Sequence, residues 1–307
     1  MSPHFLAIAD VPAAQITRLL DRAVELKRTR RSGTLPLRGR SLVQIFEKPS
    51  LRTRLSFDIA MAELGGHSTY LSPAEVGLGR RESVADVARV VARMVDGVVL
   101  RTYAHETIEE FARHSAIPVV NGLSDLEHPC QALADVFTVR ERKGLEGITA
   151  AYVGDGNNVA HSFMLCAAKA GLSVRVASPV GYEPQQRVID LARAAAEASG
   201  ARLEIGNDAA AAVAGVDVVY TDVWTSMGQE AEYERRRRAF QGFQVNAALL
   251  ARAKPDAIVL HDLPAHRGEE VTDEVIDGPQ SAVFEQAENR VHAQKAVLCW
   301  LMGEAMS

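Results

Sequence analysis

The stretch Ser41-Leu42-Val43-Gln44-Ile45-Phe46, followed after a short turn by Ser50-Leu51-Arg52-Thr53-Arg54, decides the fold of this chain. The first six residues form an apolar, β-rich run, which predicts a strand. Apolar residues at helical spacing then run from Leu55 to Ala62 and stop at Gly65-Gly66, which predicts a helix. A strand that passes directly into a helix is the repeating unit of parallel α/β sheets.

The pentapeptide at the start of this helix has the composition of an anion-binding site. A helix N-terminus carries about half a positive charge and free backbone N–H groups. Ser50 and Thr53 add hydroxyl groups, and Arg52 and Arg54 add guanidinium groups that match a phosphate. The sequence therefore predicts a site for a doubly charged phosphate ester. An N-cap serine followed by solvated arginines is the alternative for this segment taken alone.

The composition is that of an ordinary globular protein long enough for two domains. The 307 residues are 47% hydrophobic and 24% charged, with a net charge of −5, which excludes a protein that coats nucleic acid. The first residues lack the basic-then-apolar form of a signal peptide, and no uncharged apolar run reaches the roughly 18 residues of a membrane span. Cys130, Cys166 and Cys299 show neither disulfide nor metal-ligand spacing. We therefore expect a cytoplasmic protein with reduced thiols and no membrane contact.

Strands and helices alternate along the whole chain, which predicts an α/β fold with two doubly wound parallel-sheet domains joined by two long interdomain helices. Eight further strands are predicted at Ser68–Ser72, Gly97–Thr102, Pro118–Leu123, Thr149–Gly154, Ser173–Ser178, Arg202–Gly206, Val216–Trp224 and Ala257–Leu263. Further helices are predicted near Ser83–Val95, Glu106–Ser115, Pro129–Lys143, Asn158–Ala170, Pro184–Ser199 and Ser281–Ala305. We expect one domain at residues 1–135, completed by a C-terminal helix at 285–307, and a second at 148–280.

Polar residues follow several predicted strands at their carboxyl ends, where open α/β sheets bind ligands. Arg101 ends one strand, and a solvated charge is its alternative interpretation. His128 and Gln131 stand one turn apart where the junction helix opens, so both can face a bound carbonyl group. A surface histidine is the competing interpretation there. Arg290 in the C-terminal helix either forms a helix ion pair or reaches the binding site.

The second half of the chain carries a different set of polar groups. Gly154-Asp155-Gly156-Asn157-Asn158 lies between a strand and a helix but lacks the third glycine of a dinucleotide loop, so Asn158 is better suited to an amino-acid carboxylate. Asp222-Val223-Trp224-Thr225-Ser226-Met227-Gly228 offers a carboxylate and a hydroxyl to an ammonium group. Glu232–Arg238, with four consecutive arginines, is expected to be the solvated face of a short helix without a ligand. His261-Asp262-Leu263-Pro264 ends the last strand.

With these residues assembled, the chain closely resembles the aspartate/ornithine carbamoyltransferase family from about Phe5 to Leu301. The Asp-x-Trp-x-Ser-Met-Gly loop points to the ornithine branch, because the aspartate branch lacks this loop. The resemblance implies a carbamoyl-phosphate site made by Ser50, Leu51, Arg52, Thr53, Arg101, His128, Gln131 and Arg290, with Arg54 in the same motif. It implies an ornithine site made by Asn158, Asp222, Ser226, Met227, Asp262 and Leu263.

The reaction that the resemblance implies is attack of the ornithine δ-amine on the carbonyl carbon of carbamoyl phosphate, which gives citrulline and phosphate in arginine biosynthesis. Thr53, Arg101 and His128 are expected to donate hydrogen bonds to the carbonyl oxygen as its charge grows. Two aligned substrates gain their rate largely from proximity and charge stabilisation. The resemblance implies no cofactor, no metal and no nucleic-acid partner, and it implies a homotrimer or an assembly of trimers.

Two residues depart from the family pattern. Asp262 stands where ornithine enzymes usually carry Cys in the His-x-Leu-Pro motif, and a carboxylate there favours the charged amine over the neutral nucleophile. It can compensate as a general base, so Thr53, Arg101, His128 and Asp262 form the expected catalytic set. Gly77 stands where many relatives carry a glutamine that reaches a neighbouring subunit's site, a contact that glycine cannot make. Arg80 or Arg81 is the candidate substitute.

Three alternative functions remain at this stage. The first is a carbamoyltransferase for another amine such as lysine or putrescine. The second is a catalytically silent paralogue that binds carbamoyl phosphate or an amino acid. The complete phosphate-side set argues against the silent paralogue, and Asn158 with Asp222 and Ser226 argues against putrescine, which has no α-carboxylate. A dinucleotide-dependent dehydrogenase is remote, because the glycine loop is incomplete.

Overall fold

The computed structural model describes residues 4–30 and 34–303, and it divides the chain into two compact units. The first unit contains the residues up to Phe137 together with those from Glu288 onward, and the second unit is Thr138–Ala287. Among the described residues, no helix is both long and apolar enough to cross a membrane.

The first unit is built on a sheet of four parallel strands. They are β1 Ser41–Phe46, β2 His67–Leu71, β3 Gly97–Arg101 and β4 Val119–Leu123, in the order β2-β1-β3-β4. The helices of this unit are α1 Ala13–Arg28, α2 Leu51–Glu63, α3 Pro73–Val76, α4 Val84–Val91 and α5 His105–His114. β3 and β4 are buried along nearly their whole length, as the strands of parallel sheets are, and their polar residues Arg101 and Asn121 are buried with them.

The second unit is built on a sheet of five parallel strands. They are β5 Thr149–Val153, β6 Ser173–Ala177, β7 Leu203–Gly206, β8 Val218–Thr221 and β9 Ile258–Leu260, in the order β7-β6-β5-β8-β9. The chain crosses from one unit to the other within two helices, α6 Pro129–Lys143 and α13 Val283–Met302. The helices within the unit are α7 Asn158–Lys169, α8 Gln186–Ser199, α9 Ala209–Val213, α10 Tyr233–Ala239, α11 Ala247–Leu250 and α12 Asp273–Ile276.

Each sheet has one point at which its strand order reverses. In the first sheet β2 lies on one side of β1, and β3 and β4 lie on the other side. In the second sheet β6 and β7 lie on one side of β5, and β8 and β9 lie on the other side. Open α/β sheets bind ligands beyond the carboxyl ends of the strands at such a reversal. The topology therefore selects the segments after β1 and β3 in one unit, and after β5 and β8 in the other.

The predicted fold class is confirmed: the structure has two parallel-sheet α/β units, and all nine predicted strands are present within a few residues of their predicted bounds. Helix α1 was not predicted, although the buried residues Ile16, Leu19, Leu20, Ala23 and Leu26 repeat at helical spacing. Helix α4 ends at Val91, four residues before the predicted end. The C-terminal helix is described as far as Met302, so the last part of the predicted 285–307 segment lies outside the described residues.

Candidate active site

The turn between β1 and α2 forms the first part of the site in the first unit. Ser50 is the N-cap of α2, with an extended backbone, and its Oγ accepts a hydrogen bond from the Thr53 backbone N–H at 3.2 Å. Leu51 is the first helical residue, and its side chain is 74% exposed. Because this end of α2 follows the strand at which the sheet order reverses, its N-terminal N–H groups lie at the position where such sheets bind anions.

The Thr53 hydroxyl group is the centre of a buried, positively charged cluster. Its Oγ1 accepts a hydrogen bond from Arg290 Nη2 at 2.6 Å and a longer one from Arg101 Nη1 at 3.5 Å. Thr53 is fully buried, and Arg101 and Arg290 are 9% and 3% exposed. Since the oxygen accepts from both guanidinium groups, its own hydrogen remains to be donated to a ligand. The burial of Arg101 and Arg290 excludes a solvated charge at either position, and the Arg290 side chain reaches the Thr53 hydroxyl group.

His128 and Gln131 lie at the start of α6, and both are buried. Burial, then the charges of Arg290 and Arg101, hold the pKa of His128 well below its usual range, so the imidazole is neutral. Gln131 Nε2 donates to Asp135 Oδ1 at 2.8 Å, whereas its buried Oε1 accepts no hydrogen bond from any described residue. That oxygen can accept from a ligand amide.

The structure separates the two arginines of the pentapeptide. The Arg54 guanidinium lies 4.1 Å from the centre of the Tyr70 ring and 3.8 Å from the Asp58 carboxylate, so it serves the packing of α2 against β2. Arg52 is half-buried in the first turn of α2, where the helix N–H groups are free of intrahelical partners. The binding of an anion by Arg52 stays a prediction from its place in the first turn of α2.

The loops after β5 and β8 form the site in the second unit. Asn157 is the N-cap of α7: its Oδ1 accepts from the backbone N–H groups of Val159 and Ala160 at 2.9 and 3.1 Å. Its Nδ2 donates to Asp222 Oδ2 at 2.7 Å, and Asp222 Oδ1 accepts from the Val223 N–H at 2.7 Å. The cap residue thus joins the two loops that the strand reversal brings together.

Asp222 and Asp262 form a pair of neighbouring carboxyl groups. Asp222 is 5% exposed, and its side chain lies within hydrogen-bonding reach of Asp262, which is 12% exposed at the side chain. Burial first, and then the neighbouring Asp262 carboxylate, raise the pKa of Asp222 well above its usual range. Two carboxylates so close together resist full ionisation, and a bound cation relieves that repulsion.

His261, between β9 and Asp262, is fixed by two hydrogen bonds. Its Nδ1 accepts from the Leu263 backbone N–H at 2.9 Å, and its Nε2 lies 3.0 Å from Glu270 Oε1. Because Nδ1 accepts a hydrogen bond, the ring proton is on Nε2, and this N–H group donates a hydrogen bond to Glu270. His261 therefore orients the backbone of the 261–264 segment. The Nδ1 lies 3.6 Å from Asp262 Oδ1 and offers that carboxylate no proton.

The other predicted ornithine-site residues lie in the segments that follow β5, β8 and β9. Asn158 is half-buried in the first turn of α7. The Ser226 backbone N–H donates to Gln229 Oε1 at 3.1 Å, and Met227 is 45% exposed. Leu263 has a φ of 60° and a cis peptide bond to Pro264, and it packs against the core of the second unit.

Three polar residues near this site were not assigned from the sequence: Asn157, Asp155 and Arg236. Asn157 could have been found, because Asn is a preferred N-cap and it precedes an apolar helical run. Arg236 was predicted to be solvated, and that prediction is wrong. It is 6% exposed and donates to Asp155 Oδ2 and to the Trp224 carbonyl oxygen, both at 2.9 Å. Its three arginine neighbours are exposed, and no sequence pattern distinguishes it from them.

Two groups of side chains place possible metal ligands within 4.8 Å of one another: Asp222, His261 and Asp262, and His266, Glu269 and Glu270. In the first group both ring nitrogens of His261 already form hydrogen bonds. In the second, Glu269 accepts from the Tyr233 hydroxyl, and Glu270 accepts from the His266 backbone N–H. Since these groups already have partners in the fold, we assign no metal to either of them.

Two family models match the chain over nearly its whole length. The carbamoyl-phosphate-binding domain of aspartate/ornithine carbamoyltransferase matches residues 3–141. The aspartate/ornithine-binding domain of the same family matches residues 146–301.

Individual relatives show the same similarity. A protein of Anoxybacillus flavithermus named ornithine carbamoyltransferase is 54% identical over 301 residues, which cover 97% of this chain and 96% of the relative. A protein of Pyrococcus furiosus named as the anabolic ornithine carbamoyltransferase is 52% identical, with the same coverage of both chains. The solved structure of ornithine carbamoyltransferase from Pyrococcus furiosus matches with a TM-score of 0.96 and 51% identity, and covers 99% of this chain and 98% of that one.

Proposed function

The chain belongs to the aspartate/ornithine carbamoyltransferase family, and we propose that it transfers the carbamoyl group of carbamoyl phosphate to the δ-amine of L-ornithine, giving L-citrulline and phosphate. The first unit binds carbamoyl phosphate in this proposal, and the second binds ornithine. The strand reversals support this division, because each unit has its own ligand-binding edge.

The phosphate group is bound at the start of α2. The backbone N–H groups of Leu51 and Arg52, the Ser50 hydroxyl and the Arg52 guanidinium supply hydrogen bonds to a dianion, and the helix dipole adds to them. The same groups stabilise the leaving phosphate when the carbon–oxygen bond breaks, since its negative charge grows there. Charge-assisted hydrogen bonds of this kind are about twice as strong as neutral ones.

The carbonyl oxygen is bound by Thr53, Arg101 and His128. The Thr53 hydroxyl accepts from Arg101 and Arg290, so its hydrogen is directed away from both and can be donated to the substrate. His128 is neutral and offers one N–H group without adding a further charge. As the amine attacks, the carbonyl becomes an oxyanion, and these donors stabilise it. Gln131 Oε1 is the acceptor left for the carbamoyl NH₂ group.

The amino-acid end of ornithine is bound in the second unit. Asp222 pairs with the α-ammonium group, and the cation restores the charged form that burial and Asp262 disfavour. Asn158, at the start of α7, donates to the α-carboxylate. Ser226, Met227 and Leu263 complete the contacts with the ornithine chain in this proposal.

Asp262 takes the proton that the δ-ammonium must lose. With a solution pKa of about 10.4 for such an amine, only about one in a thousand is neutral near pH 7. The ammonium transfers one proton to Asp262, and the neutral nitrogen attacks the carbonyl carbon. When the tetrahedral intermediate collapses, the carbon–oxygen bond to phosphate breaks and the same nitrogen loses a second proton to the departing phosphate.

One observation carries this proposal above the silent paralogue: Arg101 and Arg290 converge on the Thr53 hydroxyl in a buried cluster that also contains the neutral His128. A protein that only bound an amino acid would gain nothing from such groups. They stabilise a developing oxyanion, which a transferase needs.

The decisive experiment is an assay for ureido product with carbamoyl phosphate and ornithine, lysine, putrescine or aspartate as the acceptor. We expect product with ornithine, and with the other three amines at most about 1% of that rate, since a missing or displaced polar group leaves buried partners unpaired. Product with lysine or putrescine instead would establish a different carbamoyltransferase. No product with any amine would favour the silent paralogue.

We place the reaction in arginine biosynthesis, because its product is citrulline and because the Pyrococcus furiosus relative is named anabolic. The homotrimer and the cytoplasmic location remain predictions from the sequence. Sedimentation of the purified protein tests the first, and fractionation of the producing cell tests the second.

A further inference from the structure

The run Arg235–Arg238 contains one residue that differs from its neighbours. The side chain of Arg236 is 8% exposed, whereas Arg235, Arg237 and Arg238 are all exposed. A guanidinium group is rarely buried unless it is paired and hydrogen-bonded. The burial of Arg236 therefore implies hydrogen-bond partners that the exposed side of α10 does not provide.

Arg236 connects the two loops that carry the proposed ornithine site. Its Nη1 donates to the Asp155 carboxylate in the loop after β5 and to the Trp224 carbonyl oxygen in the loop after β8, both at 2.9 Å. Its Nε donates to Glu232 at 3.2 Å, and its guanidinium lies 5.0 Å from the centre of the Tyr182 ring. The side chain is thus held on several sides, and its position is fixed.

The loop after β8 is also fixed through the Trp224 side chain. The Trp224 ring stacks on Phe240 with centroids 5.7 Å apart and an angle of 29°. Phe240 is fully buried at the C-terminal end of α10, four residues beyond Arg236. Trp224 lies two residues after Asp222 and two before Ser226, so α10 holds the middle of the segment that carries both.

The loop after β5 is equally constrained. A Cβ atom at Gly156 would lie 2.1 Å from the Pro184 nitrogen, so this loop packs tightly against the segment before α8. Asp155 is 5% exposed, and burial raises its pKa to about 6, against the opposing effect of Arg236. Asp155 and Asn157 therefore make two separate links to the 222–228 loop: one through Arg236 and one directly to Asp222.

We infer that Arg236 is a positioning residue for ornithine: it fixes the distance between the 154–158 loop, which carries Asn158, and the 222–228 loop, which carries Asp222 and Ser226. Ornithine is expected to contact both loops at once, through its carboxylate and its ammonium. When Arg236 is lost, the two loops keep the Asn157–Asp222 hydrogen bond but lose the link through Asp155 and Trp224, and the groups that bind the two ends of the amino acid are held less firmly in register. This inference rests on the proposed function.

The test is steady-state kinetics of the full-length Arg236→Gln and Arg236→Lys variants, with Arg238→Gln as the matched control on the exposed side of α10. We expect Arg236→Gln to raise the KM for ornithine about tenfold or more, to leave the KM for carbamoyl phosphate within twofold, and to change kcat by less than about threefold. Arg236→Lys keeps the positive charge but loses the forked guanidinium group, so its KM for ornithine should lie between that of the parent and that of Arg236→Gln. Arg238→Gln should behave as the parent.

A parental KM for ornithine in Arg236→Gln, or an equal rise in both KM values, would overturn the inference. If Arg236→Gln does not fold, Arg236→Lys decides by the same criterion: a selective rise in the KM for ornithine supports the inference, and parental values for both substrates refute it. A parent that forms no product with any amine refutes the proposed function instead, so the two failures are distinguishable.

A double-mutant cycle with Asp155→Asn shows whether Arg236 acts through the 154–158 loop. We expect the double variant to have nearly the same KM for ornithine as Arg236→Gln alone, because the two residues form one link. KM increases that multiply would show that Arg236 and Asp155 act independently, which contradicts the inference.

Discussion

The two ligand sites proposed for this protein are charged in opposite senses. In the first unit, Arg101 and Arg290 are buried beside Thr53, and their charges help to keep His128 neutral. In the second unit, the buried Asp222 lies beside the half-buried Asp262, and the pKa of Asp222 is raised well above its usual range.

This difference shows what the buried charges are for. Like charges that are gathered in a protein interior oppose folding, because each loses its hydration and repels its neighbour. Such clusters persist when a ligand of opposite charge relieves them. The first unit suits a phosphate ester and the second suits an ammonium group, which are the two charged ends of the proposed reaction. Each of the following variants alters one side of this comparison.

The largest effect is expected from Arg52→Ala in the first unit. We expect kcat/KM for carbamoyl phosphate to fall by about 10³-fold, because a charge-assisted contact to the substrate phosphate and the leaving group is lost. Steady-state kinetics with ornithine at saturation measures it. Arg89→Ala, which removes an exposed arginine from α4 of the same unit, should keep the parental value. Near-parental activity of Arg52→Ala would remove the phosphate assignment.

The next largest effect is expected from Asp222→Asn in the second unit. We expect kcat/KM for ornithine to fall by about 10²-fold, as for the loss of a buried hydrogen bond to a charged group, while the KM for carbamoyl phosphate stays parental. A parental kcat/KM for ornithine would contradict the assignment of Asp222 to the α-ammonium group.

The same variant should alter the dependence of stability on pH. The pKa of Asp222 is raised in the folded protein, so the folded state binds the extra proton above pH 4, and the stability that Asp222 contributes falls as pH rises. The asparagine variant lacks this loss. Its free energy of unfolding relative to the parent should therefore rise with pH, by up to about 1.4 kcal/mol per unit. Urea denaturation at several pH values measures this, and a difference that stays constant with pH would contradict it.

A smaller effect on ornithine binding is expected from Asp262→Cys, which tests the coupling within the carboxyl pair; the loss of the proposed base lowers kcat separately. Removing the neighbouring carboxylate lowers the pKa of Asp222, so Asp222 stays ionised and binds ornithine at lower pH. We expect the acid limb of 1/KM for ornithine to move to lower pH. Asp262→Asn should show the same shift. A pH–rate profile of Asp262→Cys unchanged from the parent would refute the role of Asp262.

The smallest effect is expected at Leu51, where only the backbone is assigned a role. Its exposed side chain predicts that Leu51→Ala keeps kcat/KM for carbamoyl phosphate within twofold. Leu51→Pro removes the N–H group at a helix position that accepts proline, and we expect a loss of about fivefold, or roughly 1 kcal/mol. Equal activity of the two variants would show that this N–H group does not bind the phosphate.

Much of the fold was readable from the sequence. The alternation of short β-rich runs with helices predicted two parallel-sheet units, and the structure confirms them. Helix α1 was missed although its apolar spacing was visible. The order of the strands was not predicted, because pairing between distant strands depends on packing that no local pattern encodes.

The candidate site divides in the same way. Its residue types and their order along the chain were assigned from the sequence, and these assignments remain predictions for the experiments above. Whether Arg101 and Arg290 were solvated or buried could not be decided from their neighbours. The structure places both at the Thr53 hydroxyl, since the end of β3, the start of α2 and the helix α13 lie together in the first unit.

The sequence by itself determined the parallel α/β architecture and the chemical types at each strand end, because periodicity and turn composition are local properties of the chain. Only the tertiary structure decided which charges share an environment. Of four consecutive arginines it buries one, Arg236, and it brings Asp222 beside Asp262, forty residues further along the chain. The physical reason is that burial and charge coupling depend on distances in space, and these are set by strand order and loop packing rather than by any one segment.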